Sequence, residues 1–352
     1  MKMEIEEQLN SGMIINKPKI KKKEKEEKDL IAYYTNKDTE KKLLEKIKNI
    51  FGLNLTGLKF FERGGSSFIY EAEIEGKKKS LIIKVTSEEK YKNLNEIKNM
   101  AKLRHPNIIS MYGYYTSKNS EQIIIMENGK IDLKDFQYKY IKRAVLSESF
   151  LCYISVQILE GLKYLNKCNI IHYDIKPNNI IIDECLNIKI IDFSISVDIS
   201  NIKDQYINLK YRGTSFFMAP EVIKGKKIEI KNFHKIDLFS LGVMLYRLAF
   251  GYYPFDLQHE YVDNDDIIYE KINSEWKAEN KDTEFSNYFI DFLNCLLEKD
   301  INKRINIYEA LNHHWIQGAK ILMDEKENIL NANAFLASLI TDSFYKFNKH
   351  LT

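Results

Sequence analysis

Cysteine is scarce and scattered. The four residues Cys152, Cys168, Cys185 and Cys295 stand far apart with no CxxC pair, which argues against a disulfide framework or a zinc ribbon. A reducing compartment is expected, the cytoplasm, with nuclear access left open. Long apolar runs are also missing: no uninterrupted stretch reaches the length needed to span a bilayer, so no membrane span is expected. The start MKMEIEEQLN is acidic and leads into no apolar run, and the second residue is Lys while the chain ends HLT. Neither a secretory signal nor a lipid anchor is expected. Charge of one sign is lacking as well. With 53 Lys and Arg against 50 Asp and Glu, balanced locally for a net +3, there is no basic stripe to track a nucleic acid, and no such partner is expected. A DxDxDG calcium loop is absent too.

What is present is a 352-residue chain, 44% hydrophobic and 29% charged, with enough apolar residues for one large core or two smaller ones. Residues 1–37, with the run KPKIKKKEKEEKD, read as a solvated and disordered extension. Residues 38–55 read as a short helical lead-in, with Leu43, Leu44, Ile47, Ile50 and Phe51 on one helical face. Over 56–127 short apolar runs alternate with glycines and charges: LKFFERGG, SFIYEAEIEG, SLIIKVT, MYGYYTS and QIIIMEN. These predict an antiparallel sheet, interrupted by one helix in SEEKYKNLNEIKNMAKL that Thr86 or Ser87 would cap. Over 128–316 helical periodicity takes over in SFLCYISVQILEGLKYLNKC, KIDLFSLGVMLYRLAF, FSNYFIDFLNCLLEK and NIYEALNHHWI. The expected fold is α+β and two-lobed, a small antiparallel-sheet lobe with one main helix followed by a larger helical lobe. Residues 317–352 form a helix-compatible tail, either an accessory helix or a segment that inhibits the domain or binds a regulatory partner.

The stretch that carries chemistry is IIHYDIKPNNIIID, residues 170–183. Asp174 and Asn179 stand five apart in a loop that Pro177 keeps from becoming a regular helix. The apolar run IKII then leads into Asp192. Two carboxylates and an amide on adjacent loops make an oxygen-rich site suited to Mg2+, and Lys84 on an earlier strand supplies positive charge for a polyphosphate.

In this order and spacing the chain resembles a eukaryotic protein kinase over roughly residues 56–316. HYDIKPNN resembles the family's catalytic loop, which implies that Asp174 accepts the proton of the substrate hydroxyl and that Asn179 is a metal ligand. DFS at Asp192 resembles the metal-binding DFG triplet. Lys84 in LIIK resembles the lysine that pairs the α- and β-phosphates, and Glu96 its helix partner. MAPE ends an activation segment that starts at Asp192. Asp237 begins a helix similar to the one that braces the catalytic loop, and Arg304 is similar to the arginine paired with the Glu of APE, Glu221. Lys176 and Thr214, in DIKPNN and RGTSFFMAPE, resemble the serine/threonine class, the lysine steadying the phosphate and the threonine bracing the catalytic Asp. The resemblance implies ATP with Mg2+ or Mn2+ and protein substrates. Nucleotide contacts are implied at Gly64, Gly65 and Ser66 of the phosphate loop, at Ile69, Ile82 and Lys84 on the strands, at Met126, Glu127 and Gly129 of the connector, and at Ile181.

Several positions depart from the family pattern. The glycine-rich loop reads ERGGSSFI, with Glu62 and Ser67 at its first and third glycine positions. Ile82 replaces a small residue over the adenine, and Ser194 replaces the Gly of DFG. A kinase-fold scaffold with weakened nucleotide binding therefore stands as the alternative to an active enzyme. Tyr173 replaces the arginine before the catalytic Asp, which resembles kinases that do not require activation-segment phosphorylation. Asn178 stands where kinases directed to basic residues carry Glu. The acidic stretch Asp256–Asp266 offers either an attraction for basic substrates or, as the favoured reading, a solvated loop. The HHWI motif and the tail after it look distantly like calcium/calmodulin-regulated kinases, without EF-hands.

Overall fold

The computed structural model describes residues 36–63, 67–86, 94–117, 121–140, 146–183, 185–256, 265–273 and 285–317. The phosphate-loop residues Gly64, Gly65 and Ser66, the cap candidate Ser87, the N-terminal extension up to residue 35, residues 257–264 of the acidic stretch and the tail from 318 lie outside that description. The described residues fall into two compact units: those up to residue 92 with Tyr112–Met126, and those from 93 to Met111 with Glu127 onward. A sheet-rich first unit and a helical second one give the two-lobed α+β architecture expected. No helix among the described residues is long and apolar enough to cross a membrane.

The smaller unit begins with helix α1 (Lys37–Phe51). Asn36 caps its start by accepting from Thr39 N at 2.8 Å. Gly52 ends it in the left-handed region, φ +67°, with its N–H on Lys48 O. Strands β1 (Leu55–Arg63), β2 (Phe68–Ile74), β3 (Ser80–Thr86), β4 (Met111–Thr116) and β5 (Gln122–Glu127) form one sheet in the order β1-β2-β3-β5-β4. Because side chains alternate along a strand, Phe68, Tyr70 and Ala72 of β2 and Leu81, Ile83 and Val85 of β3 turn to one face and are buried. Leu43 and Ile47 of α1 complete that core with Leu58, Ile123 and Ile125. Leu44 and Phe51 pack at its margin, while Ile50, at the edge of the helical stripe, is exposed. Thr86 closes β3 and is buried there. The opposite face of β2 and β3 presents Ile69, Glu71, Ile82 and Lys84, each half-buried.

In the larger unit, α2 (Leu94–Lys102) precedes a loop whose Asn107 and Ile109 pair with β9 (Ile188–Ile190). Helix α2 groups with this unit because Asn99 donates to Ser196 Oγ at 2.9 Å and Lys102 pairs with Asp198. Strands β6 (Ile131–Asp132), β8 (Ile180–Ile182) and β9 form a small antiparallel sheet in the order β6-β8-β9. Helix α3 (Leu133–Tyr140) follows β6, and α4 (Glu148–Lys167), capped by Ser147, is buried along most of its length. Two ribbons pair β7 (Ile170–Ile171) with β10 (Val197–Asp198), and β11 (Tyr206–Asn208) with β12 (Lys227–Glu229). Helix α5 (Pro220–Ile223) lies between β11 and β12. Helix α6 (Lys235–Phe250) is apolar almost all round and buried accordingly, and Gly251 ends it at φ +81°. Helices α7 (Asp265–Asn273), α8 (Asn287–Leu296) and α9 (Ile307–Asn312) complete the unit.

Two measurements follow from this packing. Ile47 is fully buried against the sheet, so Ile47→Ala is expected to cost roughly 2–5 kcal/mol, read as a lowered urea midpoint. His234, at the start of α6, has its pKa driven down from 6.5 to about 4, first by burial and then by the neighbouring Lys235, against a smaller upward pull from Glu309. The folded chain therefore refuses a proton that the unfolded chain accepts. Its contribution is complete above pH 6.5 and is lost as pH falls toward 4, a loss of about 2–3 kcal/mol. Urea unfolding across that window is expected to show a smaller decline for His234→Gln than for the wild type.

Candidate active site

The loop between β7 and β8 is held from below by one carboxylate. Asp237, buried at the first turn of α6, accepts the backbone N–H of both His172 and Tyr173 at 2.8 Å each. Burial raises its pKa, and the two N–H groups with His172 pull the other way. Tyr173 sits at φ +69°, an unfavourable backbone state for a bulky residue, of order 1–2 kcal/mol, and the two N–H bonds offset it. His172 is fully buried. Its Nδ1 accepts from Asp174 N at 3.2 Å, so Nε2 carries the ring proton and donates it to Ile191 O at 2.9 Å. One imidazole thus ties the loop to the residue preceding Asp192. Phe193 meets the same ring edge-on at 4.9 Å.

Asp174 is the centre of what the loop carries. Thr214 Oγ1 donates to its Oδ1 at 2.7 Å. Asn179 Nδ2 and Lys176 Nζ reach Oδ2 at 2.8 and 2.7 Å, and Lys176 also donates to Thr214 Oγ1 at 2.7 Å. Asn179 Nδ2 further donates to the Asp174 carbonyl at 2.8 Å. With its amide nitrogen so committed, Asn179 keeps Oδ1 as the atom able to face a cation. Ile191 N donates to the Asn179 carbonyl at 2.9 Å, which couples the loop to the strand end carrying Asp192. Asp192 has φ +63°, a state that Asp tolerates better than most residues, and its Oδ1 accepts from Ser194 N at 3.4 Å.

Asp174, Lys176, Asn179 and Thr214 are therefore in direct contact. Glu96 on α2 and Asp192 belong to the same unit, and Glu96 is buried. Lys84 lies in the smaller unit with Ile82 beside it on β3, and register pairs Ile69 with Lys84. Register also pairs Glu62 with Ile69. In the connector, Glu127 exchanges backbone and side-chain bonds with Ser110 and pairs with Lys189 at 3.3 Å. Gly129 lies so close to Ile181 that a Cβ there would stand 1.6 Å from its Cδ1 and would displace that side chain. Met126, the last residue of the smaller unit, precedes them on β5.

Beneath the segment, Arg304 is 1% exposed and engages four of its five N–H donors. It forms a fork to Glu221 at 2.7 and 3.0 Å, reaches Lys235 O at 2.9 Å and Glu298 O at 2.8 Å, and lies 4.8 Å above the Phe239 ring. A second group of metal-competent side chains, Asp291, Cys295 and His313, lies on α8 and just after α9. Trp315 N donates to His313 Nδ1 at 3.2 Å, so Nε2 bears the proton and gives it to Asp291 at 3.1 Å. That nitrogen acts as a donor, and the trio is a hydrogen-bonded pair beside a thiol whose pKa burial raises.

The protein kinase domain family matches residues 59–316. The chain belongs to the protein kinase family. It is 33% identical over 232 residues to a probable serine/threonine-protein kinase mkcE of Dictyostelium discoideum, covering 64% of this chain and 30% of that protein. It is 33% identical over 244 residues to calcium-dependent protein kinase 6 of Plasmodium berghei, covering 67% and 15%. With the serine/threonine-protein kinase RAD53 of Saccharomyces cerevisiae it shares 31% over 236 residues, covering 63% and 27%. The chain thus spans less than a third of the length of each of these three. Within the kinase domain, the sequence pattern pointed to Asp237 and Arg304. It gave no role to Arg212 or Asn99, whose contacts join residues far apart in sequence.

Removing one partner of the Glu221–Arg304 pair leaves a buried, unpaired charge. Glu221→Ala is expected to cost roughly 3–5 kcal/mol, and the paired replacement Glu221→Leu with Arg304→Met is expected to lose less, both read by thermal denaturation.

Proposed function

We propose that the chain is an ATP-dependent protein kinase that transfers the γ-phosphate to serine or threonine hydroxyls of protein substrates. The observation that carries the proposal is the Asp174 carboxylate, bonded at once by Thr214, Asn179 and Lys176 at 2.7 to 2.8 Å. A carboxylate so held is fixed in direction and ready to orient a hydroxyl. Asp174 takes the hydroxyl proton, Lys176 faces the transferring phosphate, and Thr214 keeps both in register. Lys84, with Glu96 as its helix partner, serves the α- and β-phosphates. The donor set fits Mg2+ or Mn2+, since Asn179 Oδ1 and the Asp192 carboxylate are hard oxygen ligands. Bound nucleotide and metal supply the phosphoryl group and neutralise its charge. Ile69 and Ile82 flank Lys84 on the half-buried sheet face, Gly64, Gly65 and Ser66 follow as the phosphate loop, and Met126, Glu127, Gly129 and Ile181 serve the base. Residues 56–127 and 128–316 are proposed as the two lobes, and the four free thiols suit a cytoplasmic setting. Nearness to calcium/calmodulin-regulated kinases, a regulatory role for the tail and the independence from segment phosphorylation inferred from Tyr173 belong to the same proposal.

One observation favours a second reading, a kinase-fold scaffold. Glu62, Ile69 and Lys84 form a single row across β1, β2 and β3, which puts the backbones of Glu62 and Lys84 about 10 Å apart with both residues on the face where phosphates would lie. The Glu62 charge opposes a polyanion.

Phosphate transfer to a generic protein substrate with Mg2+ or Mn2+ is expected to fall at least about a hundredfold in Asp174→Ala and in Lys84→Ala. A wild type that transfers no more than Asp174→Ala, and whose melting temperature does not move with ATP, would favour the scaffold and sink the enzyme.

A further inference from the structure

Tyr173 carries no cation, yet the strand of contacts beside it contains one. The Arg212 guanidinium lies 5.2 Å from the centre of the Tyr173 ring and donates through Nη1 to Ile195 O at 3.1 Å. The next residue, Gly213, has φ +112°, and a Cβ there would stand 2.4 Å from the Tyr173 carbonyl oxygen. The one after, Thr214, donates to Asp174. Three successive residues of the segment therefore engage two successive residues of the loop: Arg212 and Gly213 against Tyr173, then Thr214 against Asp174. Ile195 lies three residues past Asp192, so Arg212 also joins the two ends of the segment. The Tyr173 ring is buried and its hydroxyl pKa is pushed up to about 12, mainly by burial; it meets Arg212 as a neutral aromatic face.

We propose that Arg212 is a positioning residue for the transfer step. From the segment side, it supplies the cation that the loop lacks. It pins residues 195–214 against Tyr173 and so holds Thr214 on Asp174 in the unmodified chain. The grip is an aromatic face on the loop and a cation on the segment. Because the cation is spent on Tyr173 and Ile195, no phosphate is needed to complete it. This inference rests on the proposed kinase activity.

The test uses the full chain, phosphatase-treated and shown phosphate-free by intact mass. It compares wild type, Arg212→Met, Arg212→Lys, Tyr173→Phe, Tyr173→Leu and the Arg212→Met/Tyr173→Leu double variant. Two quantities are read: kcat and KM for ATP, and amide hydrogen exchange over residues 195–214. Expected is a kcat loss of about tenfold in Arg212→Met, the scale of a partly buried cation–π contact, with KM for ATP little changed and faster exchange across 195–214. Tyr173→Phe, which keeps the ring, stays near wild type, and Arg212→Lys recovers part of the loss. The double variant is no worse than the worse single one. Wild-type kcat and exchange in Arg212→Met overturn the inference, as do losses that multiply in the double variant. If Tyr173→Leu fails to fold, the Arg212 variants and Tyr173→Phe still decide. If the wild type shows no Asp174-dependent transfer, the activity proposal fails, and the exchange data alone decide whether Arg212 pins the segment.

Discussion

Two backbone N–H groups on one buried carboxylate set the geometry of the larger unit's loop. Asp237 meets His172 and Tyr173 at 2.8 Å each, and those bonds hold Tyr173 in a left-handed conformation that it would otherwise leave. Reversing the chain at Tyr173 turns Asp174 toward Thr214 and Lys176. Asp237 can do this because α6 is anchored on nearly every side: its interior residues are buried almost all round, and Arg304 binds the Lys235 carbonyl at its first turn while stacking on Phe239. A helix that cannot rotate makes a fixed platform for a charge. The apolar core, the buried ion pair and the loop are therefore one mechanical chain.

A second theme is how bonds of modest strength converge on Asp174. Each hydrogen bond is worth only about 1–3 kcal/mol, and none specifies the site alone. Their effect comes from closure. Lys176 joins Asp174 to Thr214, Thr214 joins it to the segment, Asn179 joins it to the Asp192 strand, and His172 reaches the same strand from the other side. Moving any one member strains the others, which is the pre-organisation that charge transfer in a partly buried site needs.

Much of this was legible in the order of residues. Alternation in SFIYEAEI and SLIIKVT predicted strands, because one face of a sheet must be buried and the other need not be. The length and apolarity of KIDLFSLGVMLYRLAF predicted a buried helix. Asp174, Lys176 and Asn179 stood out because their spacing around a proline suits no regular element. Other features were not legible. The edge position of Ile50 depends on how α1 rolls on the sheet. The grouping of α2 with the larger unit depends on Asn99 reaching Ser196 across 97 positions. Arg212 carries no local signature, being a lone arginine before a glycine in a polar segment.

The sequence alone determined the classes of element and the chemistry they carry, because periodicity, turn residues and residue type act over a few positions. It also determined that Tyr173 brings no cation to that position, since its side chain carries no positive charge. Only the tertiary structure decided what Tyr173 holds instead. The 5.2 Å contact with Arg212, the glycine required against its carbonyl and the left-handed backbone that presents both arise when segments about 40 residues apart are packed together by a common core. Such contacts have no period and no spacing, and so leave no trace in a linear pattern.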